Sequence, residues 1–129
     1  MSATERLSKV FLKGLADRGH SLKADKYQLY LIQDFMVEFE MNSLSGYFYN
    51  RLPELGYIKA TITAMRQFGL NTLAELLEQA YNLFQDHVDP LEVTTWNAVR
   101  SSYDPDKKLE QIDMEITNLD DYGLADSSI

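Results

Sequence analysis

The chain has 129 residues, of which 45% are hydrophobic and 25% charged, a composition typical of one folded domain and unlike that of a disordered chain. It contains no cysteine, which excludes disulfides, thiolate metal ligands and a cysteine nucleophile. The net charge of −8 comes from residues 86 to 129, which hold 3 basic and 11 acidic residues, whereas the first 85 residues hold 9 of each.

This uneven charge restricts the possible partners. An acidic field repels nucleic-acid phosphates and attracts basic surfaces, which argues against direct DNA or RNA binding. The sequence has no apolar run near the roughly 20 residues that span a bilayer, and its start lacks the apolar core of a secretory signal. We therefore predict a cytoplasmic protein with one helical domain over residues 1–129 and an acidic C-terminal part at residues 86–129.

The first predicted helix covers residues 5–15, where apolar residues recur at helical spacing and basic residues take the opposite side. Leu7, Val10 and Leu15 belong to the apolar side, which we expect to cover the core. A short membrane-surface helix is the alternative. Gly14 and Gly19 are expected to weaken and end the helix.

The central helix is predicted to start near Ser21 or Asp25, either of which can cap it, and to continue to about Met41. Its apolar residues are too numerous for one stripe, so we expect it to pack on more than one side.

An acidic pair lies on this helix. Asp34 and Glu38 are four residues apart, which places both carboxylates on one helical face. Such a pair can carry out acid–base chemistry or hold a metal through oxygen ligands. The alternative interpretation is a structural ion pair at the rim, with Arg51 or Arg66 as the cation.

A bend is predicted after the central helix, because residues 42–46 are rich in turn-forming types. The following short helix brings the aromatic residues 47–49 back onto the central helix. Asn42 or Asn50 is expected to satisfy buried backbone groups near the bend. Pro53 then makes a break in the helix.

Two neighbouring helices follow, one over about residues 55–68 and one that starts at Asn71 or Thr72 and has an apolar face as far as Phe84. Gly69, between them, fits a left-handed cap. So short a connection makes these helices spatial neighbours.

Asp-Pro pairs at residues 89–90 and 104–105 predict two more helix starts, the second opening a helix to about residue 117. The tail after residue 118 is expected to fray, with Tyr122 and Leu124 as its candidates for docking. Together these patterns predict an all-α fold, a single compact bundle of about five to seven helices around the central apolar helix.

A set of motifs runs through the middle of the chain: Tyr-Phe-Tyr-Asn at residues 47–50, a loop with Pro53, Thr-Ala-Met at residues 63–65 and Phe-Gly at residues 68–69. This pattern resembles a bacterial family of helical domains found at the C-terminal end of the acidic DNA-mimic protein, over about residues 27–84. The family's usual turn, Asn-Gly-Gly-Phe-x-Gln, is Met-Asn-Ser-Leu-Ser-Gly here. The motif residues that we interpret as structural are Tyr47, Phe48, Asn50, Phe68, Gly69 and Ala80.

The resemblance implies a non-enzymatic acidic interaction protein, because its motif residues include no nucleophile, base or metal ligand. In a DNA mimic, acidic side chains stand in for phosphates and occupy the basic groove of a DNA-binding protein. The candidate partner-binding residues are Asp104, Asp106, Glu110, Asp113, Glu115, Asp120 and Asp121. The expected partner is a basic or DNA-binding protein, without nucleic acid, membrane, metal or cofactor, and a homodimer stays open.

Three alternatives to mimicry remain at this point. The acidic face can simply be solvated and keep the protein soluble. A small-molecule-binding or hydrolytic domain can use Asp34 and Glu38 beside Tyr30, Tyr47 and His20. An immunity or antitoxin-type protein has the same sequence features and differs only in its partner.

Overall fold

The computed structural model describes residues 1–54, 56–84, 104 and 106–129, and all regular structure in these residues is helical. The α-helices are α1 (Ala3–Gly14), α2 (Ala24–Arg51), α3 (Tyr57–Gln67), α4 (Asn71–Asn82) and α5 (Lys108–Thr117). Shorter 3-10 segments follow α1 at Leu15–Asp17 and α5 at Asp120–Asp126. The predicted all-α bundle is confirmed; the helix start predicted at residues 89–90 lies outside the described residues.

Helix α1 packs its apolar side against α2. Leu7 and Val10 are buried, and the ring of Phe11 stacks on Tyr30 with 5.2 Å between centroids. The helix starts two residues earlier than predicted, because the Ser2 hydroxyl accepts a hydrogen bond from the N–H of Glu5. Leu15, predicted on the apolar side, is instead exposed, because α1 ends at Gly14 and a 3-10 turn begins at Leu15.

Helix α2 is the central element and is buried along most of its length. It starts at Ala24, next to the predicted start near Asp25, but its cap was predicted wrongly. Lys23 occupies the cap position without a side-chain hydrogen bond, so neither Ser21 nor Asp25 caps the helix. Instead, the N–H of Ser21 donates to the carboxylate of Asp17. No helix among the described residues is long and apolar enough to cross a membrane.

The predicted bend is present inside α2 at Ser43, whose φ of 59° and ψ of −172° interrupt the helix. The N–H of Leu44, released from the helical pattern, donates to Oδ1 of Asp113 on α5 at 2.9 Å. Asn42 and Asn50, which were predicted to serve the backbone here, are exposed and donate to Glu38 instead. That prediction was wrong, because the carboxylate of Asp113 on another helix accepts the hydrogen bond from the backbone at the bend.

Helices α3 and α4 form a tight pair. Gly69 adopts the predicted left-handed conformation, with φ of 83°, and the N–H of Leu70 donates to the carbonyl of Met65 at 2.8 Å. Helix α4 begins at Asn71, as predicted, and its apolar face is buried. Helix α2, which precedes this pair, ends at Arg51, two residues before Pro53, as expected for a helix ahead of proline.

The C-terminal tail is docked and not frayed, which corrects the prediction. Leu124 is buried, and the N–H of Ser128 donates to the carbonyl of Phe68 at 2.8 Å. The backbone of Ser127 also passes close to Gly69. The tail therefore covers the connection between α3 and α4, and it brings the residues that follow α5 to a defined position.

Candidate functional site

The acidic residues of the C-terminal part fall into two environments. Asp104 and Asp113 are partly buried and serve the fold, whereas the other predicted partner-binding residues are exposed. Asp104 accepts hydrogen bonds from the N–H groups of Lys108 and Leu109, at 2.6 and 3.1 Å, and so serves the first turn of α5. The helix start predicted at residues 104–105 was wrong, because α5 begins at Lys108 with Lys107 at the cap position. The exposed members are Asp106, Glu110, Glu115, Asp120 and Asp121.

Asp113 joins α5 to the bend of α2. Its half-buried carboxylate is the acceptor for the N–H of Leu44. Burial raises the pKa of the Asp113 carboxyl above its usual value, the hydrogen bond from Leu44 opposes that rise, and the charge of Glu110 adds to it. We therefore interpret Asp113 as a cap, supplied by another helix, for the second half of α2. Less of its surface is exposed to a partner than in the exposed acids.

The exposed acids form no ion pairs within the described part of the chain. None of them has the nitrogen of a described lysine or arginine within ion-pair distance; the ion pairs of the described residues all lie between Arg18 and Glu78. Residues 106–129 contain 7 acidic and 2 basic residues. An acidic surface without cationic partners in residues 1–54, 56–84, 104 and 106–129 therefore covers the outside of α5, the turn that precedes it and the segment that follows it. We call it the C-terminal acidic surface.

The acidic pair of α2 forms a buried cluster. Arg51 holds both oxygens of Asp34, with Nε and Nη2 at 2.8 and 3.0 Å, and its Nη2 also contacts Oε1 of Glu38 at 3.1 Å. The hydroxyl of Tyr57 donates to Asp34 at 2.8 Å. The predicted ion pair with Arg51 is thus present, but Asp34 lies inside the fold at 3% exposure and not at the rim. Arg66 pairs with Glu78 instead.

This arrangement uses the acids for structure. The cluster ties the first half of α2 to its second half and to α3, and both oxygens of Asp34 are occupied by its partners. Burial, together with the charge of Asp34, raises the pKa of the Tyr57 hydroxyl above its usual value. His20, proposed as a helper in a hydrolytic site, is exposed and stacks on Tyr27, and it is not among the partners of Asp34 in the described residues. Among the same residues no three acidic or histidine side chains are grouped closely enough to hold a metal.

Tyr47 carries an unsatisfied polar atom. Its side chain is buried against Phe35, with centroids 4.9 Å apart, and its hydroxyl has no hydrogen-bond partner among the described residues. The hydroxyl of Thr61 donates instead to the carbonyl of Tyr57. A buried hydroxyl without a partner carries a desolvation cost that no hydrogen bond offsets.

We expect Tyr47→Phe to leave stability unchanged or to raise the free energy of unfolding by up to about 1 kcal/mol, because it removes only that hydroxyl. Tyr57→Phe is the matched control: it removes a hydroxyl that donates to a carboxylate, and it should cost about 1.5–3 kcal/mol. Urea unfolding of both variants measures the difference. Equal losses in the two variants would show that Tyr47 is hydrogen-bonded after all.

Two contacts between α2 and the C-terminal part of the chain could not be found from the sequence. Glu40, which no pattern singled out, accepts a hydrogen bond from the hydroxyl of Tyr122 at 3.0 Å. Asp113, a predicted partner-binding residue, accepts a hydrogen bond from the N–H of Leu44 at the bend, and this contact was not predicted. Both contacts join residues that are far apart in the chain, so no local spacing could have indicated them.

Comparison with known proteins agrees with the resemblance noted in the sequence. A family described as DMP19-like protein has a model that matches residues 20–127. No curated protein and no solved structure matches the chain.

Proposed function

The chain belongs to the DMP19-like protein family, and on this premise we propose that it is a DNA mimic, a non-enzymatic protein that binds a DNA-binding protein in place of DNA. The observation that carries the proposal is the C-terminal acidic surface, whose exposed carboxylates have no cationic partners among the described residues. Such a surface attracts the basic groove with which a DNA-binding protein holds phosphates.

The dimensions of this surface support the proposal. Helix α5 has 10 residues, and at about 1.5 Å per residue it spans roughly 15 Å. Exposed acids lie before it, on it and after it, at Asp106, Glu110, Glu115 and Asp120. DNA rises about 3.4 Å per base pair, so α5 alone has the length of about four base pairs of DNA.

The test uses DNA-binding proteins eluted from a double-stranded DNA column and passed over the immobilised chain at low salt. We expect specific retention, and release of the retained protein by salt and by added DNA, because the same basic groove binds both. The triple variant D106N/E110Q/E115Q should bind that protein about tenfold more weakly, since each exposed charge pair contributes about 0.5 kcal/mol. Fluorescence anisotropy of the retained protein, titrated with each variant, gives the affinities.

The control is E5Q/D25N/E75Q, which removes the same number of negative charges from exposed positions outside the C-terminal acidic surface. It should retain most of the affinity, and both triple variants should melt near the wild-type temperature, because exposed substitutions rarely change stability by more than about 0.5 kcal/mol. The proposal fails if binding survives high salt undiminished, or if both triple variants lose affinity equally.

A further inference from the structure

A groove with a volume of about 410 Å³ opens beside the bend of α2. Its walls come from α2, from α5 and from the segment after α5. Apolar side chains form part of the lining, and polar and charged side chains complete it. The lining residues are Phe39, Glu40, Ser43, Asp113, Ile116, Thr117, Leu119 and Tyr122.

Two aromatic rings of the groove lining contact each other edge to face. The rings of Phe39 and Tyr122 lie 6.3 Å apart between centroids and are nearly perpendicular, at 79°. Tyr122 is held in place by its hydrogen bond to Glu40 and by a left-handed turn, in which Asp121 and Gly123 also have positive φ. Aromatic faces are favourable surfaces for a cation, above all for a planar guanidinium.

The described residues of the lining carry only negative charge. Glu40 and Asp113 supply carboxylates, and none of the described lining residues is a lysine, arginine or histidine. Each carboxylate uses one oxygen within the fold: Oε1 of Glu40 accepts from Tyr122, and Oδ1 of Asp113 accepts from Leu44. Their second oxygens have no hydrogen-bond partner among the described residues, so no described group competes there with a donor from outside.

We propose that this groove receives an arginine side chain of the basic partner, a step that rests on the proposed function and adds the point at which the partner is anchored. An arginine matches the groove because its guanidinium donates to carboxylates in a planar fork and stacks on aromatic rings. Its aliphatic stem covers the apolar lining formed by Ile116 and Leu119. The half-buried position of Asp113, which raises the pKa of its carboxyl, makes a neighbouring cation more favourable there than at a fully solvated acid.

The test needs no partner protein. Acetyl-arginine N-methylamide, which has no charged terminus, is titrated at millimolar concentration into the ¹⁵N-labelled full chain and followed by amide chemical shifts. We expect saturable shifts confined to the groove, around Ser43, Leu44 and Tyr122. Glu40→Gln should weaken this binding several-fold, whereas Glu5→Gln, an exposed acid on α1, should leave it unchanged.

Three results would overturn the proposal: shifts spread evenly over the acidic residues, an unchanged response in the Glu40→Gln variant, or an equal response to acetyl-lysine N-methylamide. The last of these would show that the groove attracts any cation and does not select a guanidinium. Because the probe is a single amino acid, failure here leaves the proposed DNA mimicry standing. Failure of the partner experiment, with the groove still binding arginine, would reject the mimicry and not the groove.

Discussion

Arg51→Met is expected to lower the free energy of unfolding by about 3–5 kcal/mol, because it leaves a carboxylate buried without its cation. Asp34 is 3% exposed and receives two hydrogen bonds from Arg51, at 2.8 and 3.0 Å. The hydroxyl of Tyr57 alone cannot offset the cost of burying that charge. The same substitution also removes the hydrogen bond from Arg51 to Glu38, which connects the two halves of α2. Urea unfolding measures the loss.

Arg66→Met is the matched control, since Arg66 pairs with Glu78 at the surface, where both side chains are 42% exposed. An exposed pair contributes about 0–1 kcal/mol, so this variant should remain close to the wild-type chain. The double variant D34L/R51M removes both buried charges and should recover much of the stability lost in R51M. A loss in R51M no larger than that in R66M would contradict the structural role of the buried cluster.

Gly19→Ala is expected to destabilise the protein by about 2–5 kcal/mol, from backbone strain and from steric overlap together. Gly19 has φ of +78°, and an added Cβ would lie 2.8 Å from Cδ1 and 2.9 Å from Cγ of Tyr30. That ring has no room to move, because Tyr30 is 1% exposed and stacks on Phe11. Thermal and urea unfolding of the variant report the combined cost.

Gly56→Ala separates the two contributions. Gly56 has nearly the same φ, +76°, but an added Cβ there meets no described atom within 4 Å. Its cost should therefore be the backbone strain alone, about 1–2 kcal/mol. If the two alanine variants are equally destabilised, the close approach of Gly19 to Tyr30 contributes nothing, and the segment around Gly19 packs against α2 less tightly than the structure shows.

Gly14 and Gly19 also illustrate how a local interpretation can be incomplete. In the sequence they indicate the end of a helix, and α1 does end at Gly14. The structure adds a second reason for both residues, since a Cβ at either position would lie within 3 Å of the ring of Tyr30. Tyr30 belongs to a different helix, so spacing along α1 alone contains no sign of this contact.

The acidic residues show the same limit at the candidate site. Their concentration in residues 86–129 was visible as a count of charges. The division between those that serve the fold and those that remain exposed was not visible, because it depends on which backbone N–H groups lie nearby. The Asp-Pro pair at residues 104–105 indicated a helix start nearby, and Asp104 accepts from the first-turn N–H groups of α5, whereas Asp113 accepts from a backbone break on another helix.

The sequence by itself determined the helical class, the bend after the central helix, the start of α4 and the cap at Gly69, because apolar spacing and turn chemistry act between residues that are close in the chain. Only the tertiary structure decided how the acids are used. Asp34 meets Arg51 across 17 residues, Leu44 meets Asp113 across 69, and Tyr122 meets Glu40 across 82. Hydrogen bonds and ion pairs require atoms within a few ångströms, and for residues so far apart in the chain that proximity is produced by the packing of the helices.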